Sequence, residues 1–373
     1  MNAVKVEEHA VISGIGSSRI GRRLHVDPLV LTADACLAAI ADAGLTPEDI
    51  DGVSTYPGAH GSTPGISGAG IDDVRGLLGL ELRWHAGGPE VNGQLGSVVN
   101  AVLAVAGGLA EHVLCFRTVW ESTVQDLIAG GRSTMVAASP RETLQWAKPY
   151  GIGYPTYGAL SMQRYMHESG ATREQLAQLA VVARANAAGN PDAVYRDPMT
   201  VDDYLDARMI SDPLCIYDCD VPVDGSVAVI VSRADIATGV HLEAIGSASG
   251  WNACADMLWS RTDLKPSDVD VAQVYDGFTI YAVRWLEPLG LVPRNETGPF
   301  IEGGARIALD GELPLSTGGG QLSAGRLHGY GVLLEACLQL RGEGGARQVP
   351  NDPEVAIVSS GAELFTSCLL LTR

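Results

Sequence analysis

Positive charge is scarce in this chain: 25 Lys and Arg stand against 44 Asp and Glu, a formal net charge of −19. That balance repels phosphate backbones and anionic lipid surfaces, and no local basic run offsets it, so nucleic acid is not expected as a partner. A cysteine framework is also missing. Cys36, Cys115, Cys215, Cys219, Cys254, Cys337 and Cys368 form no CxxC pair and mostly lie in apolar surroundings, which reads as reduced, buried residues of a cytoplasmic protein. The N-terminus, Met1-Asn2-Ala3-Val4-Lys5-Val6-Glu7-Glu8, lacks a basic start followed by an apolar core. The longest apolar run, around Val98 to Ala110, is broken by Asn100 and glycines. Neither a signal peptide nor a membrane span is expected. His9, His25, His60, His85, His112, His167 and His241 are scattered without ligand spacing, so no metal site is expected. No Pro/Ser-rich or charge-block linker divides the 373 residues, which favours halves sharing an interface over separate beads.

What the chain does have is apolar mass and glycine: 46% hydrophobic residues, only 18% charged, and 45 glycines, the composition of a compact α/β enzyme. It also repeats itself. Leu45-Thr46-Pro47-Glu48-Asp49-Ile50-Asp51 returns as Leu264-Lys265-Pro266-Ser267-Asp268-Val269-Asp270, each copy after a helical pattern and before a short apolar run. A duplicated helix, turn and strand unit points to a pseudo-symmetric fold with its site between the copies.

The first half opens with the strand Ala10 to Gly16, then the helix Leu29 to Ala43 stopped by Gly44, then a strand from Ile50 to Tyr56. The small, apolar, proline-free stretch Gln94 to Gly108 predicts a central helix, followed by the strand His112 to Thr118. From about 120 to 214 the pattern turns glycine- and aromatic-dotted, as in Tyr150 to Tyr157. This suits a loop-rich insertion over a site, with its own helix opened by the capping box Thr172 to Gln175. Asp224-Gly225 reads as a turn into the strand Val227 to Val231. The second half then mirrors the first, with a helix near Ala253 to Ser260, a strand Val271 to Val274, helices Thr279 to Leu289 and Val332 to Arg341, and two closing strands. The reading is an α/β chain with an N-terminal half over 1–236 and a C-terminal half over 237–373. Two mixed sheets with helices between and outside them make a five-layered αβαβα sandwich.

Taken in order, several motifs resemble the thiolase superfamily, in its sterol-carrier or lipid-transfer type. They are Ile12-Ser13-Gly14-Ile15-Gly16, the turn from Gly44 to Gly52, Ile210 to Leu214 with Tyr217-Asp218-Cys219, and Gly318 to Gly325 running on to Gln339-Leu340-Arg341-Gly342. The resemblance implies the thiolase fold, and the departures from it carry the chemistry. A thiolase needs a cysteine at the tip of the central helix, where the helix N-terminus lowers the thiol pKa and backbone amides receive the oxyanion. Here the matching stretch is Gly93-Gln94-Leu95-Gly96-Ser97, with no cysteine from Gly87 to Asn100. The second-half His or Asn is matched by Tyr275, the Gly-His-Pro histidine by Arg326, and the closing Cys-Gly motif by Ser359 to Glu363. With these changes the chain looks like the side-chain-cleaving aldolases of bacterial steroid degradation. That likeness implies retro-aldol cleavage of a β-hydroxyacyl-CoA to a ketone and a short acyl-CoA. It further implies a thiolase-type homodimer and a partner with an OB-fold and zinc-ribbon element. CoA is then part of the substrate, no cofactor is required, and any zinc belongs to the partner.

Such a cleavage needs a base for the β-hydroxyl, donors for the thioester enolate and an acid for the released carbon. Tyr330, between Gly329 and Gly331 at a helix start, is either a turn-capping tyrosine or a catalytic one. Its neighbours Arg326 and His328 and the family's use of this loop favour function. Tyr275 ends an apolar strand, where packing is the ordinary explanation, and the match to a catalytic position reverses that judgement. His328 either orients Tyr330, relays a proton or faces solvent. Asp276 either holds a tyrosine or the substrate hydroxyl, or belongs to an ordinary Asp-Gly turn. Tyr281 is a weaker third tyrosine. Tyrosines 150 to 157 are read as a wall for a flat apolar substrate or as loop packing, and Arg132, Arg141 and Lys148 as loose contacts for the nucleotide. The rival readings are another acyl-CoA enzyme of the superfamily and a noncatalytic lipid-binding or complex-forming subunit.

Overall fold

The computed structural model describes residues 5–56, 65–87, 94–130, 146, 148–350, 352–362 and 365–373. Its strands are β1 (Ala10–Ser17), β2 (Gly52–Thr55), β3 (Trp84–Gly87), β4 (His112–Trp120), β5 (Met209–Ser211), β6 (Leu214–Cys215), β7 (Asp224–Arg233), β8 (Val240–Ala248), β9 (Val271–Gln273), β10 (Val355–Ala362) and β11 (Phe365–Thr372). The helices are α1 (Pro28–Asp42), α2 (Ile71–Leu78), α3 (Gly96–Ala106), α4 (Glu121–Ala129), α5 (Tyr154–Ser169), α6 (Arg173–Ala187), α7 (Val201–Leu205), α8 (Trp251–Trp259), α9 (Thr279–Leu286), α10 (Thr297–Ile301) and α11 (Tyr330–Leu340).

Where two sheets were expected, nine strands hydrogen-bond in one order, β3-β2-β4-β7-β1-β8-β11-β10-β9, with β5 and β6 pairing separately. The join between the halves is narrow: β1 meets β8 at Val11 with His241 and Ile12 with Val240. On either side of it the order is mirrored, so that β1, β7, β4 and β2 correspond to β8, β11, β10 and β9. A bridge from Ala272 to Leu315 stands where β3 would recur. Asp224-Gly225, expected as a turn, is already strand. The Asp224 carboxylate accepts from Ser122 Oγ and Leu24 N, each at 2.8 Å, which ties three segments together.

The duplicated motif performs the same task twice. In each copy the backbone N–H at the turn start, Thr46 or Lys265, donates at 2.8 Å to the aspartate three residues on. The next aspartate then holds the start of a strand. Asp51 accepts from His112 N at 3.0 Å and Asp270 from Val355 N at 2.9 Å, at the heads of β4 and β10.

Alternation along the strands divides the core around the sheet into three, and a fourth, smaller core packs between α6 and α7. Val227, Val229 and Val231 of β7 and Leu369 and Leu371 of β11 face the middle, where they pack on α3 and α11. Ala228 and Ile230 face α1, while Cys368 and Leu370 face α8 and α9. Each large aliphatic side chain buried there stabilises the fold by about 1.5–3 kcal/mol. The middle core fills both faces of the central layer formed by α3 and α11, and the other two lie under the outer helices, giving five layers. Gly14 and Gly16 on β1 allow α1 to lie close, since a Cβ at either would stand 2.3 Å from the backbone of Ala39.

The segment from 120 to 214 is more helical than expected, holding α4 to α7 among its described residues. Thr172 and Gln175 form the expected reciprocal cap of α6, at 3.3 and 3.1 Å. Tyr150, Tyr154 and Tyr157 are all exposed. Arg132, Arg141 and the side chain of Lys148 lie outside the described residues.

Candidate active site

The N-termini of the two central helices meet. Tyr330 opens α11, is 1% exposed, and shares a 2.6 Å hydrogen bond with Ser97 Oγ in the first turn of α3. Burial pushes its phenol well above 10, and the nearby Cys115 adds to this. Ser97 and Arg117 pull the other way and lose. Ser97 itself is only partly buried, so the hydroxyl pair runs from the core toward the helix tip. Ser360 on β10, in the stretch matching the family's closing cysteine motif, crosses that tip. Its Oγ accepts from Gln94 N at 2.8 Å and Leu95 N at 3.2 Å and donates to Gln94 Oε1 at 2.8 Å. Cys115 lies beneath α3, its Sγ donating to the Ser97 carbonyl at 3.8 Å, and burial drives its thiol upward, so it offers no thiolate.

His328 is buried in the loop before α11, not solvent-facing. Its Nδ1 accepts from Arg117 Nη2 at 2.8 Å. Arg117, 1% exposed, comes from the middle of β4, and its guanidinium lies over the Tyr56 ring at 4.5 Å. Burial, reinforced by Arg117 and Arg326, holds the imidazole well below its ordinary pKa.

The second cluster adjoins the first. Tyr275, 8% exposed, follows β9 and is fixed by its backbone N–H donating to Ser359 Oγ at 3.0 Å. The Asp276 carboxylate points into the start of the wide helical turn Gly320–Ala324, accepting from Gln321 N at 2.9 and 3.1 Å. That places Asp276 as the anchor of the loop. Burial raises its pKa to about 6 against the pull of the Gln321 and Leu322 amides. Arg326, at the family's histidine position, donates from Nε to Glu121 Oε2 at 2.7 Å and from Nη1 to Asp220 Oδ1 at 3.0 Å, and it interacts electrostatically with Tyr275. Asp220 is pushed up to about 7 by burial, with Glu121 and Asp276 adding to the rise and Arg326 opposing it. Two carboxylates thus brace one guanidinium that interacts with the Tyr275 phenol.

Gln321 links the two clusters, since its N–H holds Asp276 and its Oε1 accepts from His328 N at 3.2 Å. Asp276 and His328 are therefore joined by hydrogen bonds, while Tyr275 and Tyr330 adjoin them through electrostatic interactions with Arg326 and Arg117. The Tyr281 ring packs edge-on against Phe278 at 5.2 Å. A cavity of about 400 Å³ borders the same loop through Gly320, Gln321 and Leu327, and none of the four lines it. Sequence reasoning missed Arg117, Gln321, Glu121 and Asp220. Of these only Arg117 left a signal, as the one arginine inside the apolar strand His112–Trp120.

Among the described residues no group of three or more His, Cys, Asp or Glu side chains could hold a metal ion, and no helix is long and apolar enough to cross a membrane. The thiolase C-terminal domain-like family matches residues 240–371. Over 97% of both chains, the sequence is 33% identical to the steroid side-chain-cleaving aldolase of Thermomonospora curvata. It is 32% identical to the 17-hydroxy-3-oxo-4-pregnene-20-carboxyl-CoA lyase of Mycobacterium tuberculosis, over 97% of this chain and 98% of that one. The solved Ltp2-ChsH2(DUF35) aldolase superposes on 98% of each chain with a TM-score of 0.85 and 31% identity. With this fold, a helix tip without a thiol and those whole-length matches, the chain belongs to the steroid side-chain-cleaving aldolases of the thiolase superfamily.

Proposed function

We propose that the chain is a carbon–carbon lyase that splits a bulky, steroid-type β-hydroxyacyl-CoA into a ketone and a short acyl-CoA by retro-aldol cleavage. The observation that carries this reading is the replacement of a thiolase's nucleophile by a connected phenol, guanidinium and carboxylate network at the tips of the central helices. No covalent intermediate is available there, whereas proton transfer is.

Tyr275 takes the β-hydroxyl proton. Its phenolate is favoured by Arg326, whose own charge is held firmly by Glu121 and Asp220. As the carbonyl forms, the bond between the β- and α-carbons breaks and its electron pair moves into the thioester enolate. Tyr330, kept protonated by burial, then supplies the proton for the α-carbon through Ser97, and the two products leave. The thioester carbonyl is the electron sink, so no lysine Schiff base is required.

The partner of this reading is a DUF35-type protein, which the Ltp2-ChsH2(DUF35) aldolase supports, with the OB-fold and zinc ribbon that the family resemblance implies. The second copy of a homodimer suits β3, whose outer edge has no pairing strand among the described residues. The test is direct. The chain, alone and with such a partner, is incubated with a tertiary β-hydroxyacyl-CoA of a steroid, and ketone plus propionyl-CoA or acetyl-CoA is measured. Equimolar ketone and acyl-CoA is the expected result. Binding of the ester without cleavage under both conditions would replace the lyase by a noncatalytic binding subunit.

A further inference from the structure

We infer that His328 is a fixed hydrogen-bond donor to the thioester oxygen, not an acid or base, and that Arg117 is the positioning residue that makes it one. This rests on the lyase reading for the identity of the ligand oxygen, but the state of the ring does not depend on it.

A guanidinium has only donors. With Arg117 Nη2 at 2.8 Å from His328 Nδ1, that nitrogen must present its lone pair, and the ring proton of the neutral imidazole is confined to Nε2. The groups facing the ring keep it neutral. Arg117 approaches from β4, Arg326 lies two residues away in the same loop, and the carboxylate nearest in the network, Asp276, is engaged by the Gln321 amide. Among the described residues no hydrogen bond engages Nε2, so the ring's one donor has no acceptor among them.

The backbone gives an independent sign. His328 has φ +48° and is followed by Gly329 at φ +83°. A non-glycine residue in the left-handed region costs about 1 kcal/mol or more, and such strain persists where the surroundings hold a side chain in a required place. His328 N donating to Gln321 Oε1 and Gly329 lying against Ser360 are those surroundings. Gly329, the next residue, lies against Gln94 just before the start of α3, and an Nε2–H in this loop supplies what the cleavage still lacks, a donor for the oxygen on which the enolate charge develops.

Two measurements decide this. Two-bond proton–nitrogen spectra of histidine-labelled protein, with His328 assigned from His328→Gln, are expected to show Nε2–H only, unchanged between about pH 5 and pH 8. A proton on Nδ1, or titration within that window, would overturn the inference whether or not the protein is active. In the steroid-ester assay, His328→Gln retains an N–H donor but cannot act as a base. It is expected to keep kcat within about tenfold of wild type, while His328→Leu loses about 10²–10³. Gln as impaired as Leu, with both folded, would restore an acid–base role. Wild-type kcat in both would remove His328 from catalysis. Failure of the wild type to cleave any ester would count against the lyase reading alone, because the spectra still report the ring.

Discussion

Removing one oxygen from the core separates a structural tyrosine from a catalytic one. In Tyr330→Phe the ring stays in place and only the hydroxyl bonded to Ser97 Oγ at 2.6 Å is lost. Ser97 is partly buried and turns to water, so the stability cost is that of one ordinary hydrogen bond, about 1 kcal/mol, or a fall in Tm of roughly 2 °C. The loss in rate is of another size. Withdrawing the proton source for the α-carbon is expected to lower kcat by about 10²–10⁴, equivalent to about 3–5 kcal/mol of barrier, with KM nearly unchanged because Tyr330 is too deeply buried to hold the substrate. Steady-state kinetics with a tertiary β-hydroxyacyl-CoA and a thermal scan on the same preparation check both figures. A variant that loses the expected stability yet turns over at the wild-type rate would refute the reasoning, since the Tyr330 and Ser97 pair would then be packing.

Asp276 yields a pH test. Its folded-state pKa of about 6 lies above the free aspartate value of about 4, so its contribution to stability is full below about pH 4 and is lost as pH rises through 6. Asp276→Asn, which does not ionise, is therefore expected to gain on wild type in denaturant titrations between pH 4 and pH 6 and to level off above. A difference constant with pH would contradict this. Ser360→Ala removes the acceptor for the Gln94 and Leu95 amides at the tip of α3, and a loss of about 1 kcal/mol by chemical denaturation is expected. Gly320→Ala sets a Cβ 1.9 Å from Asp276 Oδ2 at φ +58°, so a destabilisation of roughly 1–3 kcal/mol together with reduced kcat is expected from displacement of the loop, read by Tm and the cleavage assay.

Much of the scaffold was legible because its signals are local. The repeated Pro-Asp turn marked the pseudo-symmetry, since an aspartate three residues beyond the turn start satisfies a backbone donor in both copies. The missing cysteine showed in the sequence because a nucleophile must occupy one particular place at a helix tip. Other features were misread, for physical reasons. Asp224-Gly225 has the letters of a turn, but in β7 the aspartate is satisfied by Ser122 and Leu24, about 100 and 200 positions away in the chain. The expected second sheet became part of one, because the β1 and β8 contact is set by packing of the halves and leaves no pattern in either strand.

The sequence by itself determined the duplicated α/β plan, the absence of a thiol nucleophile and the loop that carries His328 and Tyr330. Only the tertiary structure decided what each of those groups is able to do. Tyr330 is held protonated by burial, Asp276 is committed to a backbone amide, Arg326 is braced by Glu121 and Asp220, and His328 is turned by Arg117 from a strand more than two hundred residues earlier. Protonation state and hydrogen-bond direction depend on desolvation and on partners brought together by folding, and neither is encoded in the spacing of residues along the chain.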